Sequence, residues 1–146
     1  MKNVTAAEAY AHQEKGHTYV DIRSSAEFEN GHPAGALNVP LIEQDEESGM
    51  MLPNPDFVRV MQANFAPDAK LLVGCQSGGR SARAAQILAT FGFADVSNVT
   101  GGFGGARDPM SGRMVDPGWA GSGLPVETDT PPGHGYRDLA AKTSTK

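Results

Sequence analysis

Residues 70–74, KLLVG, hold an apolar run too short for a helix and without polar alternation. That pattern suits a strand covered on both faces, as at the centre of a parallel sheet. A polar, glycine-rich segment follows at 75–81 (CQSGGRS). A helical pattern then spans about 81–91, with Ala84, Ile87, Leu88 and Phe91 on one face and Gly92 as its stop. Residues 96–99 read as the next strand. Parallel neighbours need a crossover, and a helix is the usual one. The expected class is therefore α/β: three layers, with a central, mostly parallel sheet flanked by helices.

The rest of the chain fits that frame. Thr5 and Glu8 form a capping box for a helix over 6–15, which Gly16 ends. Residues 17–23 (HTYVDIR) read as a buried strand with Val20 and Ile22 inside. Ser24 and Glu27 make a second capping box, for one helical turn over about 25–30 that stops at Gly31. Residues 36–39 read as a short strand stopped by Pro40, and residues 43–56 as an exposed acidic loop. Asn54 and Pro55 suit the cap and first position of a helix whose stripe is Phe57, Met61 and Phe65. From Gly101 the chain is glycine-rich and loses its periodicity. The expectation is one domain over 1–127, its last part an ordered loop, and a mobile tail over 128–146.

Composition excludes several classes. A net charge of -5 over 146 residues argues against nucleic-acid binding. No apolar run approaches the roughly 20 residues of a membrane span. The first residues lack the apolar core of a signal peptide. One cysteine forms no internal disulfide, so the chain reads as a soluble protein of a reducing compartment, the cytoplasm. His12, His17 and His134 read as surface residues, and His32 as a turn-fixing residue. No ligand cluster points to zinc.

The junction at 75–81 carries the chemistry. Ligand sites in open α/β sheets lie beyond the carboxyl ends of strands, where Cys75 stands. The following helix offers unpaired N–H groups and partial positive charge. Gly78 and Gly79 let the backbone curl into an anion nest, Arg80 adds a cation, and Ser77 and Ser81 add hydroxyl donors. The site favours a sulfur anion at Cys75 and a nucleophilic role for it. A glycine loop alone would also suit a plain βα turn or a phosphate cradle. The G-K-[ST] of a P-loop and the G-x-G-x-x-G of a dinucleotide fold are both missing.

CQSGGRS resembles the C-x-x-G-x-R-[ST] active loop of rhodanese (sulfurtransferase) domains. YVDIR at 19–23, EFENGHPAGALNVP at 27–40, GFADVSNVTGGF at 92–103 and GLPV at 123–126 resemble that family's other motifs in order, over residues 3–127. The resemblance implies a single-domain thiosulfate sulfurtransferase, an enzyme moving a sulfane sulfur through a Cys75 persulfide. The donor would be a small molecule such as thiosulfate. The acceptor would be cyanide, a cellular thiol or a protein. Neither metal nor organic cofactor is implied. Gln76, Ser77, Gly78, Gly79, Arg80 and Ser81 would form the substrate-binding loop, with Asp21 and Arg23 supporting it from below. Phe103 would line the entrance or pack. Trp119 falls late for the family, which implies a longer loop over 104–118 beside the site, with Arg107 and Arg113 within reach of it.

Two rival readings accompany this one. The first is a regulatory or sulfur-carrier module that serves a specific partner and turns over little free substrate. The second is a phosphatase or arsenate reductase of related fold. Related phosphatases space cysteine and arginine by five residues; here four separate Cys75 from Arg80, a tighter ring.

Overall fold

The computed structural model describes residues 2–144. In chain order the elements are β1 (Lys2–Val4), α1 (Ala6–Glu14), β2 (Thr18–Asp21), α2 (Ser25–Glu29), β3 (His32–Pro33), β4 (Leu37–Asn38), β5 (Ile42–Gln44) and β6 (Met51–Pro53). There follow α3 (Phe57–Asn64), β7 (Lys70–Gly74), α4 (Gly79–Thr90), β8 (Asp95–Val99), β9 (Ala106–Arg107), β10 (Met114–Asp116), α5 (Gly118–Gly121), β11 (Val126–Glu127) and α6 (Tyr136–Ala141). A 3₁₀ turn at Lys142–Ser144 closes the described chain.

Both capping boxes form. Thr5 Oγ1 accepts from Glu8 N while Glu8 accepts from Thr5 N, and Ser24 and Glu27 repeat the exchange. The five-stranded sheet runs β1-β8-β7-β2-β4, with every neighbouring pair parallel. The continuous apolar run, β7, is the middle strand. Successive side chains of a strand point to opposite faces, which divides the core in two. Leu71 and Val73 pack with Val20, Ile22, Met61, Ala84 and Leu88 under α3 and α4. Leu72 packs with Tyr19, Ala9, Phe28, Val99 and Trp119 under α1 and α5. The three expected layers are present.

Up to residue 127 the structure departs from the expectation in four places. Most of the expected loop over 43–56 belongs to an antiparallel hairpin over 42–53, β5 with β6. Asn54 does not cap α3: its Oδ1 accepts from Asp56 N in an Asx turn, and the helix starts at Phe57. Helix α4 starts at Gly79, because Gly78 turns the chain in with a φ of +105°. The glycine-rich segment from 101 holds the β9–β10 hairpin, α5 and β11, which pairs with β3.

The segment after 127 also differs. Of the expected mobile tail, residues 145 and 146 lie outside the described residues. The part before them docks on the domain. Leu139 enters the core beside α3, 2% exposed. Asn64 Nδ2 donates to Leu139 O, Asn54 Nδ2 donates to the Tyr136 hydroxyl, and Asn38 N donates to His134 O. Tyr136, Leu139 and Ala140 make a short stripe at helical spacing, enough for one face of α6. The polar residues around that stripe hid it.

The late Trp119 has a simple geometric account. The chain leaves at Gly105, forms the β9–β10 hairpin and returns at Gly118, where a Cβ would stand 2.3 Å from Gly105 N. Backbone meets backbone there, so the hairpin is looped out at its base. Trp119 is fully buried, and its Nε1 donates to Pro125 O at 2.6 Å. Its ring meets Tyr10 and Tyr19 edge-on, at centroid distances of 5.7 and 5.4 Å. Arg107 binds Gly112 O within that hairpin.

Candidate active site

Strand β7 delivers Cys75 to the carboxyl edge of the sheet, and α4 begins four residues later. The thiol is 2% exposed. Three donors surround its sulfur: Gly78 N at 3.1 Å, Ser81 N at 3.4 Å and the Ser81 hydroxyl at 3.4 Å. Two are backbone groups, fixed by the turn at Gly78 and by the first turn of α4. Such groups stabilise negative charge with no reorganisation. Ser77 and Gly79 lie exposed on the loop's crest. The Ser77 hydroxyl makes no hydrogen bond among the described residues.

A backbone clamp, unread in the sequence, holds the loop from the other side. Phe103 N donates to Cys75 O at 2.7 Å, and Gly104 N donates to Gln76 O at 2.8 Å. A Cβ on Gly102 would stand 2.2 Å from Cys75 O, and one on Gly104 would stand 1.9 Å from Gln76 Nε2. The bare Cα of Gly102 therefore lets one backbone lie against another.

Asp21 and Arg23 sit beneath, as an almost fully buried ion pair at 2.7 Å. Asp21 accepts from Arg23 N, Nε and Nη2. Arg23 Nη2 also donates to Gly31 O, its Nη1 reaches Gln76 Oε1 at 3.4 Å, and its guanidinium lies 4.5 Å over the Phe103 ring. One arginine thus ties the β2 end, the Cys75 loop and the glycine clamp together. Buried His32 stacks on Phe28 and bonds Phe28 O and Glu127, pinning the turn after α2.

Arg80 is placed otherwise than a free cation. It grips Glu27 with both nitrogens, at 2.9 and 3.1 Å, so its charge is shared with that carboxylate. The Arg80 hydrogen bond, with help from Ser24, holds the Glu27 carboxyl down at about 2. A depressed carboxyl contributes stability that is complete above its unfolded value near 4.5 and fades as pH falls toward 2. The urea midpoint of the protein is expected to drop across that window, and Glu27→Gln is expected to flatten this part of the acid profile. An equally steep fall in the variant would remove Glu27 from the account. Both side chains are about a third exposed, so the effect is a modest share of the total.

Among the described residues no three His, Cys, Asp or Glu side chains gather as metal ligands do. No helix there is long and apolar enough to cross a membrane.

A strand-end cysteine ringed by N–H donors, with a six-residue loop to Arg80, is the arrangement its relatives would need to share. The rhodanese-like domain profile matches residues 5–107. The chain belongs to the rhodanese family. Thiosulfate sulfurtransferase 16 of Arabidopsis thaliana is 38% identical over 112 residues, covering 77% of this chain and 81% of that protein. HIGH ARSENIC CONTENT 1 of the same plant is 34% identical over 112 residues, covering 77% of this chain and 60% of that protein. The senescence-associated protein DIN1 of Raphanus sativus is 39% identical over 88 residues, 60% of this chain and 47% of its own length. This rhodanese chain thus spans most of the first relative and about half of the last. Among solved structures, an M. tuberculosis protein superposes with a TM-score of 0.71 at 24% identity, over 88% of this chain and 98% of that one. A rhodanese-related protein of Thermoplasma volcanium superposes at 0.60 and 25%, over 88% and 100%. The rhodanese fold inferred from the motifs is the fold observed.

Proposed function

We propose that this protein is a sulfurtransferase that carries sulfur on Cys75. The observation that supports the reading most is the pair of backbone N–H groups, of Gly78 and Ser81, aimed at the Cys75 sulfur, with the Ser81 hydroxyl also within reach of it. They stabilise a thiolate, the nucleophilic form. The thiolate attacks the outer sulfur of a donor such as thiosulfate. A sulfur–sulfur bond forms to Cys75, and sulfite leaves with the electron pair of the bond that breaks. The acceptor, cyanide or a thiol, then attacks the outer sulfur of the persulfide, and the Cys75 thiolate is restored. Each half-reaction balances, and neither calls for a metal or an organic cofactor.

The test is direct. The protein is incubated with thiosulfate, freed of excess and weighed intact. A gain of one sulfur atom, lost on adding cyanide and absent in Cys75→Ser, is the expected result. No adduct, together with hydrolysis of a phosphate ester or reduction of arsenate, would overturn it.

One observation favours a second reading, a carrier serving a particular partner. Arg80 is bound to Glu27, which leaves the loop without an uncommitted cation for a doubly charged small donor. A protein persulfide would need no such cation. Loading from a persulfide donor far faster than from thiosulfate would select the carrier; comparable rates would select the free enzyme.

A further inference from the structure

Behind the Cys75 loop, Ser81 and Asn98 form a contact that the proposed chemistry does not yet use. Asn98 lies on β8, 4% exposed, and Ser81 is fully buried at the start of α4. Asn98 Nδ2 donates to Asn3 Oδ1 across the β1–β8 pair, at 3.1 Å. That turns Asn98 Oδ1 toward Ser81, whose hydroxyl stands 2.5 Å away. The same hydroxyl lies 3.2 Å from Gly78 O and 3.4 Å from the Cys75 sulfur. A serine has one proton to give. Three acceptors compete for it, and by distance Asn98 holds it.

We infer that Asn98 is a positioning residue for Cys75, acting through Ser81: it draws the hydroxyl proton away from the sulfur and so tempers the thiolate. With the thiol neutral, Ser81 donates to Asn98 and turns a lone pair to the S–H. When the sulfur becomes anionic, the hydroxyl swings to it and gives up the Asn98 bond. The third donor is gained only at that cost. Removing the amide acceptor leaves only Gly78 O and the sulfur to share the hydroxyl proton, so it faces the sulfur more of the time and the cysteine becomes more reactive. Tyr19 on β2 and Arg80 on α4 interact electrostatically with Cys75, and Asp21, Arg23 and Glu27 are their charged neighbours. None of them is altered by a change at Asn98.

The inference rests on Cys75 being the nucleophile, and its test needs no sulfur donor. The rate of alkylation of the lone thiol by iodoacetamide is measured against pH. A hydrogen bond to a charged group is among the strong ones, so Asn98→Leu is expected to raise the rate at pH 7 about tenfold. In a Ser81→Ala background the same change at Asn98 is expected to do nothing. A rise that persists without the Ser81 hydroxyl, an unchanged rate or a slower one each overturns the inference. Should Asn98→Leu fail to give a cooperative thermal transition, Asn98→Asp decides. Its carboxylate holds the proton harder and adds negative charge, so alkylation should slow; an equal or faster rate counts against the proposal. A protein that forms no sulfur adduct can still pass or fail this test, which keeps the two readings apart.

Discussion

Asp21→Ala is expected to destabilise the domain by about 3–5 kcal/mol, the range for removing one partner of a buried ion pair. The total stability of a domain is only about 5–15 kcal/mol, so the loss is a large fraction of it. The reason is the charge left behind. Arg23 is 3% exposed, and Asp21 satisfies its Nε and one Nη nitrogen as well as its own backbone N–H. Without the carboxylate the guanidinium keeps only Gly31 O, the long bond to Gln76 and the Phe103 ring. Thermal or urea unfolding measures the loss. A cost below about 1 kcal/mol would mean that water reaches Arg23 and that the pair is not the strut described. The double variant Asp21→Leu with Arg23→Met separates charge from position. It buries no charge, so part of the stability should return. The links from Arg23 to Gln76 and Phe103 stay absent, so alkylation and sulfur loading of Cys75 should remain impaired.

Local features of this site were legible from residue order, and distant pairings were not. Cys75, the turn at Gly78 and the first N–H groups of α4 are contiguous, so a strand, two glycines and a helix suffice to bring them together, though the helix starts at Gly79 and not near 81. The capping boxes were legible for the same reason, each closing over three residues. The partner of Arg80 was not legible because it lies 53 residues earlier; from its neighbours alone Arg80 shows only as a cation at the end of the loop. The interior side of the loop was equally hidden. Asn98 stands in a strand with no marker of a link to Ser81, and only the β7–β8 pairing sets β8 beside the site. The glycines after 100 were read as irregular chain, since a missing side chain carries no periodic signal. Their use is close backbone approach, at Gly102 to Cys75 and at Gly118 to Gly105. Helix α6 escaped because one buried leucine, Leu139, anchors a segment otherwise polar in composition.

Gly102→Ala should cripple Cys75 while Gly92→Ala and Gly104→Ala do not. At Gly102 φ is +53°, a region that costs an L-residue roughly 1–2 kcal/mol. The added Cβ would also stand 2.2 Å from Cys75 O and 2.8 Å from Cys75 C. Those are backbone atoms at the end of the central strand, and no rotamer moves them aside. The 101–104 segment must retreat instead, which breaks the bond from Phe103 N to Cys75 O and loosens the loop whose N–H groups meet the sulfur. Placement of reacting groups is worth orders of magnitude in rate, so a loss of sulfur loading of at least about a hundredfold is expected. Two controls separate strain from displacement. Gly92 has a φ of +96° with nothing within 4 Å of a Cβ, so Gly92→Ala carries the backbone penalty alone and should leave loading intact. At Gly104 the clash is with the end of the Gln76 side chain, which can swing away. Gly104→Ala should therefore weaken the Arg23–Gln76 link and slow loading only severalfold. If all three variants lost activity in proportion to their thermal stability, the glycine clamp would be a matter of folding alone. If Gly102→Ala stands apart at matched stability, the carbonyl of Cys75 is the point where the 101–104 segment sets the reactivity of its thiol.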